Sequence, residues 1–350
     1  MDLFTLPDFD GHEQVVFGHD AATGLRAVVA IHSTVLGPAA GGCRMWTYGS
    51  ADEALTDALR LSRGMSYKNA MAELGLGGGK AVILGDSSRD KSPALFAAFG
   101  RLVDSLGGRY ITAEDVGTTT GDMEQVARQT SFVSGLKRAA GEAGGDPGPK
   151  TALGVFLGIQ AAVRFQLGCE LDGLTVAVQG LGGVGHPLCR LLAAAGARLK
   201  VADARAALVE QVRDELGAVV VAPGAIAAEA ADVLAPCALG AVLNEESIPR
   251  LRVRVVAGAA NNQLAREADG YALMKAGILY APDYVINAGG IISVAHEYRG
   301  GASEAEVRAD IEKIPGRLTV IFERASREGL PSSVVADRMA RERLRVGPRG

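Results

Sequence analysis

Two lysines and an aspartate stand out as side chains able to do chemistry. Lys68 and Lys80 close the segment Arg63–Lys80 (RGMSYKNAMAELGLGGGK), and Asp115 follows in Thr112–Gly117 (TAEDVG). On a helix, Ala54, Ala58, Leu61, Met65, Lys68 and Ala72 recur at three- and four-residue spacing, so Lys68 falls at the edge of an apolar stripe. A lysine is seldom buried unpaired, and this position predicts a cleft with an anionic partner; a snorkelling surface lysine has an equal claim. Lys80 follows Gly75-Leu76-Gly77-Gly78-Gly79 and opens the apolar run KAVIL. A P-loop would need glycine at 74 and Ser or Thr at 81, where the chain has Leu74 and Ala81. What remains is a lysine against close-packed backbone, where desolvation would suit it to acid–base work. Asp115 comes just past the carboxyl end of a strand, the edge where α/β sheets bind ligands. For Glu114 or Asp115, capping the next helix is the plainer alternative.

A second constellation starts at Gln179. Gly180, Gly182 and Gly185, with Gly183 and Val184 between them, fit G-x-G-x-x-G after the strand TVAVQ and before a helix. The first glycine permits a tight turn, the second lets backbone approach a pyrophosphate, and the third packs helix on strand, with phosphates at the helix N-terminus. Asp203 ends the next strand, where it can accept hydrogen bonds from an adenosine ribose. An acid there repels a 2′-phosphate and favours NAD over NADP, although Arg205 stands close by. The competing reading is a glycine turn without a cofactor. The four cysteines are scattered without C-x-x-C or a histidine pair, which indicates neither a disulfide framework nor a metal site.

Together these segments resemble the superfamily of glutamate, leucine, valine and phenylalanine dehydrogenases. The resemblance is carried by Gly37–Trp46 (GPAAGGCRMW), the Lys68–Lys80 segment, Thr112–Thr119 (TAEDVGTT), Gly180–Gly185, Gly258–Leu264 (GAANNQL) and Tyr284–Gly290 (YVINAGG), in order over nearly the whole chain. Within that superfamily it looks most like the NAD-dependent phenylalanine branch. The resemblance implies reversible oxidative deamination of an apolar L-amino acid to a 2-oxo acid, ammonia and NADH. By it, Lys68 would hold the substrate carboxylate with the N–H groups of Gly41 and Gly42. Lys80 would polarise the carbonyl and activate water, and Asp115 would be the general base. Asn262 would orient substrate and nicotinamide, with Thr151 and Asn287 also on the cofactor side. Glutamate enzymes carry a lysine where this chain has Ala40, so a second carboxylate would be buried unpaired. Ala40, Ala113, Ile291 and Val294 would line an apolar slot. Its width points to phenylalanine, with leucine or valine as the alternative. A catalytically silent NAD-binding scaffold is the reading from another class, against which the intact Lys68, Lys80 and Asp115 argue.

The elements that must position these groups follow from periodicity. Leu25–His32 reads as a strand paired with Val15–Gly18. A helix over Ala51–Leu74 is capped by Ser50 with Glu53 in a capping box. Strand Lys80–Leu84, helix Ser92–Leu106, strand Arg109–Thr112 and a helix from Thr120 come next. Gly141–Lys150 (GEAGGDPGPK) reads as a linker, with a helix from Thr151. Strands at Leu174–Gln179, Leu199–Ala202 and Val253–Ala257 then alternate with helices at Val184–Ala195 and Ala204–Leu216, which predicts a parallel sheet. The last stretch, Glu304–Glu328, is helical and broken by Pro315.

The expected architecture is α/β in two domains. Residues 1–135 form a substrate and oligomerisation domain, 148–325 a Rossmann NAD domain, and 326–350 a helical segment packing back on the first. The active site would lie in a cleft between the domains, closing to expel water. Length fits two domains: 350 residues, of which 48% are hydrophobic and 22% charged. A net charge of −4 offers no field for nucleic acid. Charged and proline residues interrupt the most apolar stretch, 218–243, which argues against a membrane span. No leader is visible, so a cytoplasmic protein is expected, and the resemblance implies a homo-oligomer. The arginines at 338, 341, 343, 345 and 349 read as a solvated helix end or loose tail. Forty-six glycines exceed the ordinary share, and many sit in the motifs above.

Overall fold

The structure, a computed structural model, describes residues 3–136, 145–238 and 240–346, and the chain divides into two compact units. The first comprises residues 1–145, 294–304 and 340–350; the second comprises 146–293 and 305–339.

The first unit is built on a mixed sheet of β1 (Gln14–Asp20), β2 (Leu25–Ser33), β3 (Ala39–Ala40), β4 (Cys43–Trp46), β5 (Gly77–Leu84) and β6 (Tyr110–Ile111). The order is β1-β2-β5-β3-β6, with β4 also on β5; β1 and β2 run antiparallel, while β3 and β4 lie parallel to β5. Helices α1 (Ala51–Ala72), α2 (Pro93–Asp104) and α3 (Thr120–Ala127) complete it. β2 is almost wholly buried because successive side chains point into different cores. Ala27, Val29 and Ile31 meet Phe96 and Phe99 of α2, while Val28 and Ala30 meet Ala54, Leu55, Ala58 and Leu59 of α1. Ser50 caps α1 by accepting from the Glu53 N–H at 3.1 Å. The box does not close as expected, since the Glu53 carboxylate accepts from Gly49 N–H instead.

The second unit holds a wholly parallel sheet. Its strands are β7 (Thr175–Gln179), β8 (Arg198–Ala202), β9 (Val219–Val220), β10 (Val233–Pro236), β11 (Val255–Val256) and β12 (Leu279–Tyr280). They stand in the order β12-β11-β10-β7-β8-β9. Read from β9 this is 3-2-1-4-5-6, the doubly wound dinucleotide-binding order, whose ligands bind at the carboxyl ends beside the first strand. Its helices are α4 (Pro147–Leu167), α5 (Gly185–Ala194), α6 (Ala206–Leu216), α7 (Glu267–Lys275) and α8 (Asp283–Ile286), followed by α9 (Gly289–Arg299), α10 (Glu304–Ile311), α11 (Ile314–Glu328) and α12 (Ser332–Val346). α9 and α12 each begin in the second unit and end in the first.

Three boundaries differ from the sequence reading. Part of the expected linker, 141–144, lies outside the described residues, and the rest is mostly helix. α4 starts at Pro147, with the Asp146 carboxylate accepting from Gly148 N–H at 2.8 Å. Proline is at home in a first turn, and Pro315 likewise opens α11 where the 304–328 stretch breaks after Ile311, as expected. The domain limits also shift. Residues 294–304 join the first unit, where Glu297 Oε1 accepts from the N–H groups of Gly135 and Leu136, at 2.9 Å each. Of the expected 326–350 segment only 340 onward does so. Ser332 Oγ on the Tyr280 carbonyl and Tyr284 OH on Asp337 (2.8 Å) keep the start of α12 with the second unit. Nor are the terminal arginines simply solvated. Arg341 Nε donates to Tyr67 OH at 2.7 Å, and Arg343 Nη1 to the Ala70 carbonyl at 2.8 Å, neutralising the C-terminal end of α1.

Candidate functional site

In the first unit the glycine run 77–79 is fixed by crowding. A Cβ on Gly78 would lie 2.0 Å from Ser66 N on α1, and one on Gly77 2.0 Å from the Ser33 carbonyl on β2. Only glycine lets α1 press this closely on β5, and the next residue, Lys80, is thereby delivered into a buried position (5% exposed). It is not unpaired there, since Nζ lies 2.9 Å from Asp115 Oδ2.

Asp115 stands in a built loop. Its N–H donates to Thr118 Oγ1 (2.9 Å), whose hydroxyl donates to the Cys43 carbonyl (2.9 Å). Glu114 is the ordinary acid of the two, with Oε2 accepting from Thr120 Oγ1 at the start of α3. Asp115 Oδ2 takes a second cation, Arg44 Nε, at 3.1 Å. Arg44 also donates through Nη1 to Asp57 Oδ2 at 2.9 Å, and that oxygen accepts from Tyr48 OH at 2.7 Å. Burial works against a charged Asp115, but Lys80 and then Arg44 outweigh it and bring its pKa down to about 2. Arg44, Asp57 and Tyr48 were not singled out from sequence. Arg44 lay inside the GGCR motif, but its partner Asp57 is on α1, and only the fold joins them.

Gly41 and Gly42 are glycines for the same reason of close approach. A Cβ on Gly41 would lie 1.9 Å from the Gly79 carbonyl, and one on Gly42 2.8 Å from Asp115 Cβ. The expectation for Gly41 fails in one respect, because its N–H donates to the Ile111 carbonyl at 3.2 Å and is spent on the sheet. The Gly42 N–H has no partner among the described residues. Met65 Cγ lies 3.0 Å from the Cβ position of Gly41, which turns that face of α1 toward the glycine pair. Lys68, three residues on and half-buried, shares that face. Ala40 and Ala113 are buried beside them.

In the second unit Gly180 has φ +95°, and a Cβ on Gly185 would lie 1.8 Å from the Gly180 carbonyl. Gly183 by contrast has nothing within 4 Å of its Cβ position, and Gly182 only Arg205 Nη2 at 3.5 Å. The turn is jammed on its inner side and open on its outer side, at the start of α5, and such a cradle fits a pyrophosphate. Val184 leads into α5 without a side-chain cap. Asp203 Oδ2 accepts from Leu181 N–H at 2.7 Å, so the acid expected to meet a ribose braces the glycine turn.

Thr151 Oγ1 donates to the Pro147 carbonyl at 2.9 Å and lies 2.9 Å from the Cβ position of Gly290. Asn287 Nδ2 donates to the Ala259 carbonyl (2.9 Å) and to Asn261 Oδ1 (2.7 Å), while its buried Oδ1 lacks a partner among the described residues. Asn262 is exposed at φ +52°, a left-handed conformation that asparagine tolerates. Among the proposed slot residues, Ile291 belongs to the second unit and Val294 to the first.

The geometry now has its relatives. Residues 12–132 match the family model for the Glu/Leu/Phe/Val dehydrogenase dimerisation domain, and 199–333 match that for Glutamate/Leucine/Phenylalanine/Valine dehydrogenase. The chain belongs to this family. A leucine dehydrogenase of Geobacillus stearothermophilus is 49% identical over 98% of this chain and 94% of its own length. A phenylalanine dehydrogenase of Bacillus thermotolerans is 46% identical over 99% and 92%. The crystal structure of an L-tryptophan dehydrogenase from Nostoc punctiforme superposes with a TM-score of 0.84 at 45% identity, covering 96% of each chain. This dehydrogenase is therefore an oxidoreductase acting on CH–NH2 groups, in the two-domain α/β architecture anticipated from its sequence.

Proposed function

We propose that the protein catalyses reversible, NAD-dependent oxidative deamination of an apolar L-amino acid, with the branched aliphatic side chains of leucine and valine preferred. The observation that carries the chemistry is the pairing of buried Lys80 with the half-buried Asp115 at 2.9 Å. Lys68 and the Gly42 N–H bind the substrate α-carboxylate, a cation and a donor for an anion. Asp115 accepts the proton from the amine, through Oδ1, since Oδ2 is held by Lys80 and Arg44. A nicotinamide dinucleotide bound by the second unit supplies the hydride acceptor. Asp115 releases that first proton to solvent. As water then adds to the imine carbon, Lys80 stabilises the developing oxygen, and Asp115 takes the water's proton and passes it to the nitrogen. Ammonia leaves as the hydroxyl gives up its remaining proton and the carbonyl forms. The glycine turn Gly180–Gly185 and Asp203 hold the dinucleotide, with Thr151, Asn262 and Asn287 on its nicotinamide side. The match to a dimerisation domain over 12–132 supports a homo-oligomer.

The preference for an aliphatic substrate departs from the width argument at Ala40, which favoured phenylalanine. Alanine removes one side chain from the slot wall, a discrimination of only ~1–3 kcal/mol. The leucine relative is somewhat more similar than the phenylalanine one over nearly the same coverage. A panel of leucine, valine, phenylalanine, tryptophan and glutamate with NAD, read as NADH formation, tests this reading. The expected result is the highest kcat/KM for leucine or valine and none measurable for glutamate. A phenylalanine value tenfold above both would reverse the order, and no NADH with any of them would leave a silent dinucleotide-binding scaffold.

A further inference from the structure

Asp203 is the acid on which the choice of dinucleotide rests, and the structure shows it fully engaged. Oδ1 accepts from the Arg205 N–H at 2.9 Å and from Arg205 Nε at 3.1 Å. Oδ2 accepts from Leu181 N–H at 2.7 Å and from Arg205 Nη2 at 3.3 Å. A carboxylate offers about four acceptor positions, and all four are taken. The carboxylate is 8% exposed and its guanidinium partner 64%, so Arg205 lies over the acid on the solvent side. The same Nη2 is the nearest atom to the Cβ position of Gly182, the glycine over which a pyrophosphate would pass. Arg205 thus covers both the ribose acceptor and the phosphate cradle.

We infer that Arg205 sets how this chain treats the 2′ position of the adenosine ribose, making the site accept a 2′-phosphorylated dinucleotide as well as one with a free 2′-hydroxyl. The inference rests on the reading that Gly180–Asp203 holds a nicotinamide dinucleotide. A free ribose diol needs acceptors on Asp203 and displaces the guanidinium, which swings out on its long side chain. Arg205 is exposed and its pairing with Asp203 is screened by solvent, so the displacement costs little. A 2′-phosphate makes the opposite demand. Facing a bare carboxylate it is repelled, but here the acid is neutralised by a bidentate fork whose remaining N–H groups suit phosphate oxygens. Asp203, with its pKa brought down to about 2 chiefly by Arg205, carries its charge at every working pH, so the neutralisation comes from the arginine and not from a proton. An aspartate at the end of β8 would alone predict strict NAD use; the residue two places on removes the strictness.

The test is calorimetric titration of the full chain with NADH and with NADPH, for wild type, Arg205→Ala and Arg205→Lys. Arg205 is exposed at the start of α6 and its replacement does not disturb a core. The expected result is that wild type binds NADPH within about tenfold of NADH. Arg205→Ala should lose at least tenfold in NADPH affinity while holding NADH within threefold of wild type or tighter, and Arg205→Lys should fall between. Wild-type NADPH affinity should also decline more steeply with added salt than NADH affinity. An unchanged NADPH-to-NADH ratio in Arg205→Ala, or wild type binding NADH but not NADPH, overturns the inference and leaves the dinucleotide site standing. Wild type that binds neither overturns both.

Discussion

At Asp115 two cations converge on one carboxylate oxygen, and this arrangement can be tested at single-residue resolution. Asp115→Asn keeps the shape but abolishes the proton acceptor. Turnover should fall by 10²–10⁴, while NADH affinity, proposed to rest on the second unit, stays within threefold. Near-normal turnover would end the assignment of this residue as base. Arg44 acts one step back, through Asp115. Removing one of two neighbouring cations raises the acid's pKa from about 2 toward its ordinary value. For Arg44→Met the acidic limb of kcat/KM should move up by about one pH unit, into a range open to measurement, with Arg44→Lys restoring part of the shift. Superimposable pH profiles for wild type and Arg44→Met would show that Arg44 has only a structural role. Asp115 was legible from its place after a strand. Arg44 was not, because β4 and α1 are brought together only by packing, and no spacing in the chain joins residue 44 to 57 or 115.

At the scale of elements, the segment before β1 and the strand β2 are both keyed to α1 by histidines. His12 Nε2 lies 2.9 Å from the Leu59 carbonyl and 3.0 Å from Ser62 Oγ, and His32 Nδ1 lies 2.7 Å from Ser66 Oγ. The two rings meet edge to face at 4.8 Å, with Asp10 3.7 Å from His32 and Arg63 nearby on α1. Burial, followed by repulsion from His12, brings the His32 pKa down to about 4. A folded-state pKa below the unfolded value of about 6.5 means that protonation favours the unfolded chain. Stability is then fully present above pH 6.5 and is lost as pH falls from 6.5 toward 4. Denaturant unfolding should show about 2 kcal/mol less of this loss between pH 7 and 4.5 in His32→Gln than in wild type. Equal losses in the two proteins would exclude His32 as the group responsible. Periodicity located these elements to within a few residues, since β2, α1 and the β7–α5–β8–α6 series have clean patterns and caps. It missed where elements are used twice. The Gly41 N–H was expected for substrate but belongs to β6, and the terminal arginines were read as solvent-facing although Arg341 and Arg343 close the end of α1.

At the scale of the whole molecule, the division into units is the part of the organisation that sequence approximated but did not delimit. The chain returns to the first unit twice, at 294–304 and from 340, through hydrogen bonds between residues more than 150 positions apart. Composition carries no trace of such returns, because α9 and α12 are continuous helices whose two ends belong to different units. The assignment of chemistry to units does make a prediction, since the glycine turn proposed to hold the dinucleotide lies wholly in the second unit and the Lys80–Asp115 pair wholly in the first. Hydrogen exchange of the full chain with NADH alone should slow amides at 180–185 and 203–205 by tenfold or more. Amides at 41–44 and 112–118 should instead respond to leucine. At 100 times its Kd, NADH stabilises whatever unit binds it by about 2.7 kcal/mol against opening, enough for a hundredfold slowing of amides that exchange through unfolding of that unit. Protection by NADH centred on 77–80 would place the dinucleotide on the glycine run of the first unit. The crowding of Gly77 and Gly78 against Ser33 and Ser66 argues against that outcome, because backbone already fills the space a phosphate would need.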